Sequence, residues 1–211
     1  SDQDDVWLPQ KLEVVEARFL SDPGLGALFS DAELVDESLR PLGRRLWQSV
    51  GFDEREQRLL QQGHSESVLM KSFVTGATLT FRKDLAALSR PFPTDLPMFI
   101  HDGWIAVLAL AVSRVDFVNE PLILYRQHDA QQIGARPGRD ALTKRISRQI
   151  KRDGSILQDE LKAMHRLRQR LQEQTIFPVR KVFKAALDDR IAFLDSRACL
   201  PSSRLRRIPT I

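Results

Sequence analysis

Residues 101–128, HDGWIAVLALAVSRVDFVNEPLILYRQH, carry the pattern that decides the fold class of this chain. His101–Val112 is strongly apolar after its first two residues and predicts a helix. Residues 115–118 and 122–125 are rich in β-branched and aromatic side chains, so they predict two strands separated by residues 119–121. A helix that leads directly into strands indicates an α/β fold.

The rest of the chain extends this pattern at the front and replaces it with helices at the back. Gly76 followed by residues 78–81 predicts a turn that leads into a strand, and the prolines of residues 91–97 exclude regular structure there. We predict helices over residues 9–20, 42–50, 54–62 and 83–88, short strands over 27–30 and 33–35, and basic amphipathic helices over 140–175 and 179–194, interrupted at Gly154 and Pro178. The sequence therefore divides into an α/β part, residues 1–134, and a helical tail, residues 135–211.

Composition limits the class of protein. Of 211 residues, 42% are hydrophobic and 28% are charged, which is typical of a globular chain. The net charge of +4 is too small to indicate nucleic-acid binding by itself. Cys199 is the only cysteine, which excludes an intrachain disulfide and a cysteine-based zinc site. The longest apolar stretch, residues 104–112, is well short of the roughly 20 residues that span a bilayer, so we expect a cytoplasmic protein.

The chain opens with an acidic segment, Ser1-Asp2-Gln3-Asp4-Asp5. Three carboxylates within four residues repel one another, so a cation is expected to offset their charge. A hard divalent cation such as Mg²⁺ or Mn²⁺ is the natural candidate, because it prefers carboxylate, water and phosphate oxygens. The alternative is a solvated acidic loop that caps the helix predicted from Pro9.

Residues 1–12, SDQDDVWLPQKL, resemble the Asp-x-Asp-Asp segment of the family 2 glycosyltransferases, in particular the rhamnosyltransferase-like branch. Residues 76–82 are similar to the glycine turn and strand on the acceptor side of that family. The resemblance continues at residues 101–104 and at residues 121–128. All four segments follow the family's order within residues 1–134, and this combination is more specific than any one of them.

The resemblance implies a fold, a reaction and a cofactor. The expected fold is the C-terminal part of a GT-A (Rossmann-like) glycosyltransferase domain, with its nucleotide-binding half cut off before Ser1, followed by the basic helical tail. The expected reaction transfers a sugar, with inversion, from a nucleoside-diphosphate sugar to a hydroxyl of a glycan or lipid-linked acceptor. Mn²⁺ or Mg²⁺ would stabilise the charge of the departing diphosphate.

Asp102 is the predicted catalytic base. In the family that the chain resembles, an Asp at this position takes the proton of the acceptor hydroxyl. The residues themselves agree, because an Asp in the first turn of an apolar helix lies at the positive end of the helix dipole, which favours its ionised form. The alternative is a simple N-cap. On the transferase interpretation, Asp102 and the acidic segment meet around a single bound cation.

The resemblance also implies ligands for the metal and contacts for the two substrates. The implied metal ligands are Asp4, Asp2 and His128. The implied substrate-binding residues are Asp5, Trp7, Gly76, Arg82, His101, Trp104 and Arg126. Four of these positions keep a structural alternative: Trp104 as a core residue, Arg82 at a strand end on the surface, and Arg126 and His128 at the end of a strand that pins the tail. The resemblance itself leaves two roles for Arg126, pairing with the diphosphate or bracing an acidic neighbour, and two for His128, a metal ligand or a diphosphate contact.

Basic residues crowd the chain after about residue 136, among them Lys144, Arg145, Arg148, Lys151, Arg152, Arg166, Arg168 and Arg170. A solvated helical face is the usual explanation for such a run. A sharper hypothesis is peripheral contact with the inner face of the plasma membrane, where lipid-linked acceptors are presented.

Two other functions compete with a transferase. One is a non-catalytic basic helical module that binds nucleic acid or membrane. The tail has few aromatic residues that could stack on bases, which argues against nucleic-acid binding. The other is a metal-dependent phosphohydrolase, which would need no sugar nucleotide.

Overall fold

A computed structural model describes residues 3–64, 71, 73–96, 99–127 and 154–198. In these residues, strands β1 to β5 are Val6–Trp7, Leu25–Val35, Pro41–Arg45, Leu79–Phe81 and Arg114–Arg126. Helices α1 to α7 are Lys11–Ser21, Leu46–Val50, Glu54–Gln61, Lys83–Ser89, His101–Val112, Gly154–Glu173 and Lys181–Ala198, and a 3₁₀ turn spans Gly76–Thr78.

The strands form one mixed sheet in the order β1-β5-β2-β3, with β4 also paired to β2. The central pair, β2 and β5, is parallel and in contact from Leu25, opposite Arg114, to Val35, opposite Arg126. The other pairs are antiparallel: β1 runs beside the end of β5, while β4 and β3 pair with the first and second halves of β2. The chain is therefore α/β, and its sheet is compatible with a Rossmann-like fold.

Two long strands replace the four short ones that the sequence predicts. Strand β2 continues through Ser30 and Asp31, although both are polar, because the Asp31 carboxylate accepts N–H groups from Ala32 at 2.8 Å and from Trp47 at 3.1 Å. Strand β5 continues through Pro121, which lies opposite Asp31 where the register shifts. A proline is tolerated at such an irregularity because it has no N–H to leave unpaired.

The helix predicted over residues 42–50 is wrong in its first half. Strand β3 occupies Pro41–Arg45, where it pairs with β2, and only Leu46–Val50 is helical. Gly51 ends this helix in the left-handed conformation, at φ 78°, which favours glycine. The next predicted helix is confirmed as Glu54–Gln61, where Asp53 caps the N-terminus by accepting the N–H groups of Arg55 and Glu56.

The main core lies between the sheet and α5. Almost all of His101–Val112 is buried, which explains why its apolar residues cover every face of the helix. An aromatic cluster of Phe29, Trp47, Phe52, Phe73 and Phe117 fills the same core, with edge-to-face contacts such as Trp47 to Phe52 at 4.8 Å between ring centroids.

The tail helices α6 and α7 contribute to this core from the other side of α5. Met164, Leu167 and Phe183 are buried there, and the Arg180 guanidinium donates to the carbonyl oxygens of Leu110 and Ser113 at the end of α5. The predicted interruption at Pro178 is confirmed, since α6 ends at Glu173 and α7 begins at Lys181. Within the part of the chain that the structure describes, we find no helix with the length and apolar character to cross a membrane.

Candidate active site

The Asp102 carboxylate is held by two backbone N–H groups. Its Oδ2 accepts the N–H of Gly76 at 2.9 Å and its Oδ1 accepts the N–H of Gly103 at 2.7 Å. The residue is buried, with 7% of its surface exposed. The N-cap alternative is met only in part: Asp102 is the second residue of α5, after the N-cap Ile100, and it accepts the N–H of Gly103 in the first turn and that of Gly76 outside the helix. The helix terminus and the 3₁₀ turn fix its orientation together.

Gly76 is required by how closely the 3₁₀ turn approaches the start of α5. A Cβ atom added at Gly76 would lie 3.1 Å from His101 Nε2 and 3.6 Å from Asp102 Oδ2. A side chain there would therefore press on the His101 ring and contact the Asp102 carboxylate. Three of the predicted site residues, Gly76, His101 and Asp102, are brought together in this way. His101 is exposed, and its ring lies beside Gly76, whose N–H holds the carboxylate.

This group lies near the carboxyl ends of the parallel strands β2 and β5. Ala77, the middle residue of the 3₁₀ turn, packs against a cluster that contains Leu34 of β2 and Ile123 and Tyr125 of β5. Open α/β sheets bind their ligands beyond the carboxyl ends of the parallel strands. Asp102 is thus at the end of the sheet where such a fold binds its substrates.

The acidic segment lies at the same end of β5. Arg126, the last residue of that strand, donates from Nε to the carbonyl oxygen of Asp4 at 3.0 Å, and from Nη1 to the carbonyl oxygen of Glu37. Strand β1 follows at once and pairs Val6 with Leu124. Arg126 therefore braces the backbone of its acidic neighbour, as one of the two alternatives from the sequence predicts.

The predicted metal ligands are only partly within the described structure. Asp4 is described, whereas Asp2 and His128 lie outside the described residues. No group of three or more His, Cys, Asp or Glu side chains converges as a metal site among residues 3–64, 71, 73–96, 99–127 and 154–198. The described carboxylates of Asp4 and Asp5 are hard oxygen donors, which Mn²⁺ and Mg²⁺ prefer.

Lys11 is a residue at this site that the sequence analysis did not assign. It is the first residue of α1, it is 4% exposed, and its ammonium nitrogen lies 5.1 Å from the centroid of the Trp7 ring. Burial lowers the pKa of Lys11, and the negative charge of Asp5 opposes that effect. The available signal was a lysine in the first turn of a helix, where the helix dipole disfavours a positive charge.

Arg82 does not reach the carboxyl end of the sheet. Its guanidinium donates to the carbonyl oxygens of Leu25 at 2.7 Å and Phe19 at 3.1 Å, and it lies 5.2 Å from the Phe19 ring. These groups end α1 and begin β2, at the opposite end of the parallel pair. The structural alternative describes this residue: Arg82 joins α1 to the sheet.

Trp104 is a core residue. Its side chain is 2% exposed, its indole N–H donates to the carbonyl oxygen of Ser89 at 3.0 Å, and its ring packs against Phe99. No face of the ring is open to a sugar, so the interpretation as a stacking platform is wrong. Trp7, in contrast, is 48% exposed beside Lys11 and keeps an accessible face next to the acidic segment.

Only part of the basic tail is described. Lys144, Arg145, Arg148, Lys151 and Arg152 lie outside the described residues. On α6, Arg170 donates to the carbonyl oxygens of Leu88 and Arg90 and so ties the helix to the proline-rich loop. Arg166 donates to Gln169, and Arg168 contacts His165. These contacts give at least Arg170 a structural role.

Comparison with known proteins adds no family to this geometry. No protein-family model matches the chain, and no curated protein matches its sequence. The interpretation of the site therefore depends on the arrangement of its residues and on the resemblance of its motifs.

Proposed function

We propose that this protein is an inverting, metal-dependent glycosyltransferase of the GT-A type. It transfers a sugar from a nucleoside-diphosphate sugar to a hydroxyl of a glycan or lipid-linked acceptor. One observation carries the proposal: the Asp102 carboxylate, oriented by Gly76 and Gly103, lies at the same end of β5 as the acidic segment that Arg126 braces. A base for the acceptor and carboxylates for the donor's metal are the two requirements of this chemistry.

Asp102 acts as the general base. Its two hydrogen bonds use one lone pair on each oxygen, so each oxygen keeps a second lone pair for the acceptor hydroxyl. As the acceptor oxygen forms its bond to the anomeric carbon, its proton passes to Asp102. The bond from that carbon to the diphosphate breaks on the opposite face, and the electron pair leaves with the diphosphate. The configuration at the anomeric carbon is therefore inverted.

The donor side depends on the acidic segment. Asp4, together with Asp2 and His128, would hold a divalent cation, since hard oxygen donors and an imidazole suit Mn²⁺. When bound, the cation supplies positive charge to the departing diphosphate. Asp5 and Trp7 follow Asp4 within three residues of the chain, and the exposed Trp7 ring offers an apolar face for the donor.

The test is release of nucleoside diphosphate from a panel of sugar nucleotides in the presence of Mn²⁺ and a hydroxyl acceptor. We expect turnover that EDTA abolishes, and an Asp102→Asn variant slower by a factor of roughly 10² to 10⁴, the usual contribution of a general base. Asp116→Asn is the matched control, because Asp116 is near the opposite end of β5, paired with Arg18.

Two results would contradict the proposal. Wild-type turnover rates in Asp102→Asn would remove this residue from the mechanism. Rapid hydrolysis of simple phosphate esters, with no requirement for a sugar nucleotide, would favour the phosphohydrolase instead.

A further inference from the structure

Lys11 occupies a position that is unfavourable for a lysine on two grounds. Its side chain is buried, so its ammonium loses most of its hydration. It also stands at the N-terminus of α1, where the helix dipole repels a positive charge. Nearby groups must offset both costs, and those groups indicate the role of Lys11.

The two neighbours are Asp5, in the acidic segment, and Trp7, which follows it. The ammonium lies over the Trp7 ring at 5.1 Å from its centroid, within the range of a cation–π contact. The charge of Asp5 favours the protonated amine. The backbone is fixed as well, because the Lys11 N–H donates to the carbonyl oxygen of Leu8 at 3.0 Å. Lys11 therefore contacts the segment from the helix side, while Arg126 holds Asp4 from the strand side.

We propose that Lys11 is a positioning residue: its buried ammonium, seated against Trp7 and attracted by Asp5, holds residues 4–7 in their binding conformation before any ligand arrives. The identity of that ligand, a divalent cation with a sugar-nucleotide diphosphate, rests on the proposed function. The positioning role of Lys11 does not rest on the proposed function. A segment that is already ordered avoids the entropic cost of ordering when the cation binds.

Trp7 reports on this arrangement without an activity assay. It is the exposed tryptophan of the three in the chain, whereas Trp47 and Trp104 are 4% and 2% exposed. Acrylamide, a neutral quencher, therefore reaches Trp7 selectively, and a Trp7→Phe variant confirms the assignment by losing the quenchable emission. Mn²⁺ alone, titrated against the same emission, measures cation binding near the segment.

The test compares Lys11→Met, which keeps the length of the side chain without its charge, with Lys83→Met. Lys83 is the matched control, since it is also the first residue of a helix but is exposed. We expect Lys11→Met to increase acrylamide quenching of Trp7 and to weaken Mn²⁺ binding about two- to fivefold, the factor that corresponds to losing one cation–π contact to an exposed ring. Lys83→Met should change neither. Lys11→Arg, which restores the charge, should quench less than Lys11→Met.

Each outcome decides one question. Equal acrylamide quenching in Lys11→Met and Lys83→Met overturns the positioning role, whatever Mn²⁺ does. Lys11→Arg behaving like Lys11→Met overturns it too, because the charge would then be irrelevant. If Mn²⁺ leaves the wild-type emission unchanged, the cation in the proposed function fails, while the acrylamide comparison still decides the role of Lys11.

Discussion

The two ends of the parallel pair β2–β5 hold their carboxylates in different ways. At the amino end, arginines meet carboxylates or carbonyl oxygens: Arg114 pairs with Asp22 at 2.8 Å, and Arg82 donates to Leu25. At the carboxyl end, the Asp102 carboxylate is held by backbone N–H groups. One end joins helices to the sheet, and the other orients a carboxylate without a neutralising side chain at either hydrogen bond.

This difference teaches how to separate stabilising charges from those available for chemistry. An arginine that spans two backbone carbonyls, as Arg180 does at Leu110 and Ser113, satisfies the end of a helix and gains stability from it. A carboxylate oriented by one backbone N–H group at each oxygen keeps its remaining lone pairs for a ligand. Substitutions at the amino end should therefore change the free energy of unfolding, and substitutions at the carboxyl end should change turnover.

Among the substitutions at the two ends, Gly76→Ala is expected to have the largest effect, which is a loss of turnover. The added Cβ would stand 3.1 Å from His101 Nε2 and in contact with the Asp102 side chain, so the His101 ring must give way beside the carboxylate, and a misplacement of about 1 Å in a reacting group costs up to roughly 100-fold in rate. Gly24→Ala is the control at the amino end, where the new Cβ meets only the flexible Asp22 side chain at 3.3 Å. Nucleoside diphosphate release, measured for both at saturating donor, checks this. Equal rates would show that Asp102 does not depend on the turn.

Arg82→Met should reveal the opposite behaviour, a loss of stability with little change in turnover per folded molecule. Removing the guanidinium leaves the carbonyl oxygens of Phe19 and Leu25 without this donor, at a cost of about 2 kcal/mol in the free energy of unfolding. Urea unfolding followed by circular dichroism measures the cost. The paired variant is Arg126→Met, at the carboxyl end, which should weaken Mn²⁺ binding as well. A turnover defect in Arg82→Met at full folding would place this residue in the chemistry after all.

The sequence predicts α5 well because its signal is local. A nine-residue apolar run, residues 104–112, follows His101-Asp102-Gly103, and the helix spans His101–Val112. The sequence divides β2 wrongly because the partner that satisfies Asp31 is the N–H of Trp47, sixteen residues away. No local pattern contains that hydrogen bond, so a buried carboxylate looks like the end of a strand.

The site shows the same limit. The grouping of Gly76, His101 and Asp102 follows from motifs that resemble one family, whereas the direction of a long side chain is not encoded in its neighbours. Arg82 and Arg126 were both predicted to contact substrate, and both donate to backbone carbonyls at opposite ends of the sheet. Lys11 was missed because burial of its ammonium depends on how Trp7 folds over it.

The smallest expected effect concerns Asp31, and it is a pH dependence of the free energy of unfolding. Burial raises the pKa of Asp31, against the N–H groups of Trp47 and Ala32 and the charge of Arg45, which lower it. Because the folded pKa is the higher one, the native state binds this proton more tightly than the unfolded chain. The ionised carboxylate therefore costs stability above the folded pKa, and this cost disappears as the pH falls toward the unfolded value of about 4.

Asp31→Asn removes the charge and keeps an oxygen that accepts both N–H groups. We expect this variant to be more stable than the wild type at pH 7, with the difference shrinking as urea unfolding is repeated down to about pH 4.5. Asp31→Ala removes the acceptor for the Trp47 N–H near the start of α2, so it should be less stable by about 1 kcal/mol. If Asp31→Asn is instead less stable at every pH, the charged hydrogen bonds outweigh burial.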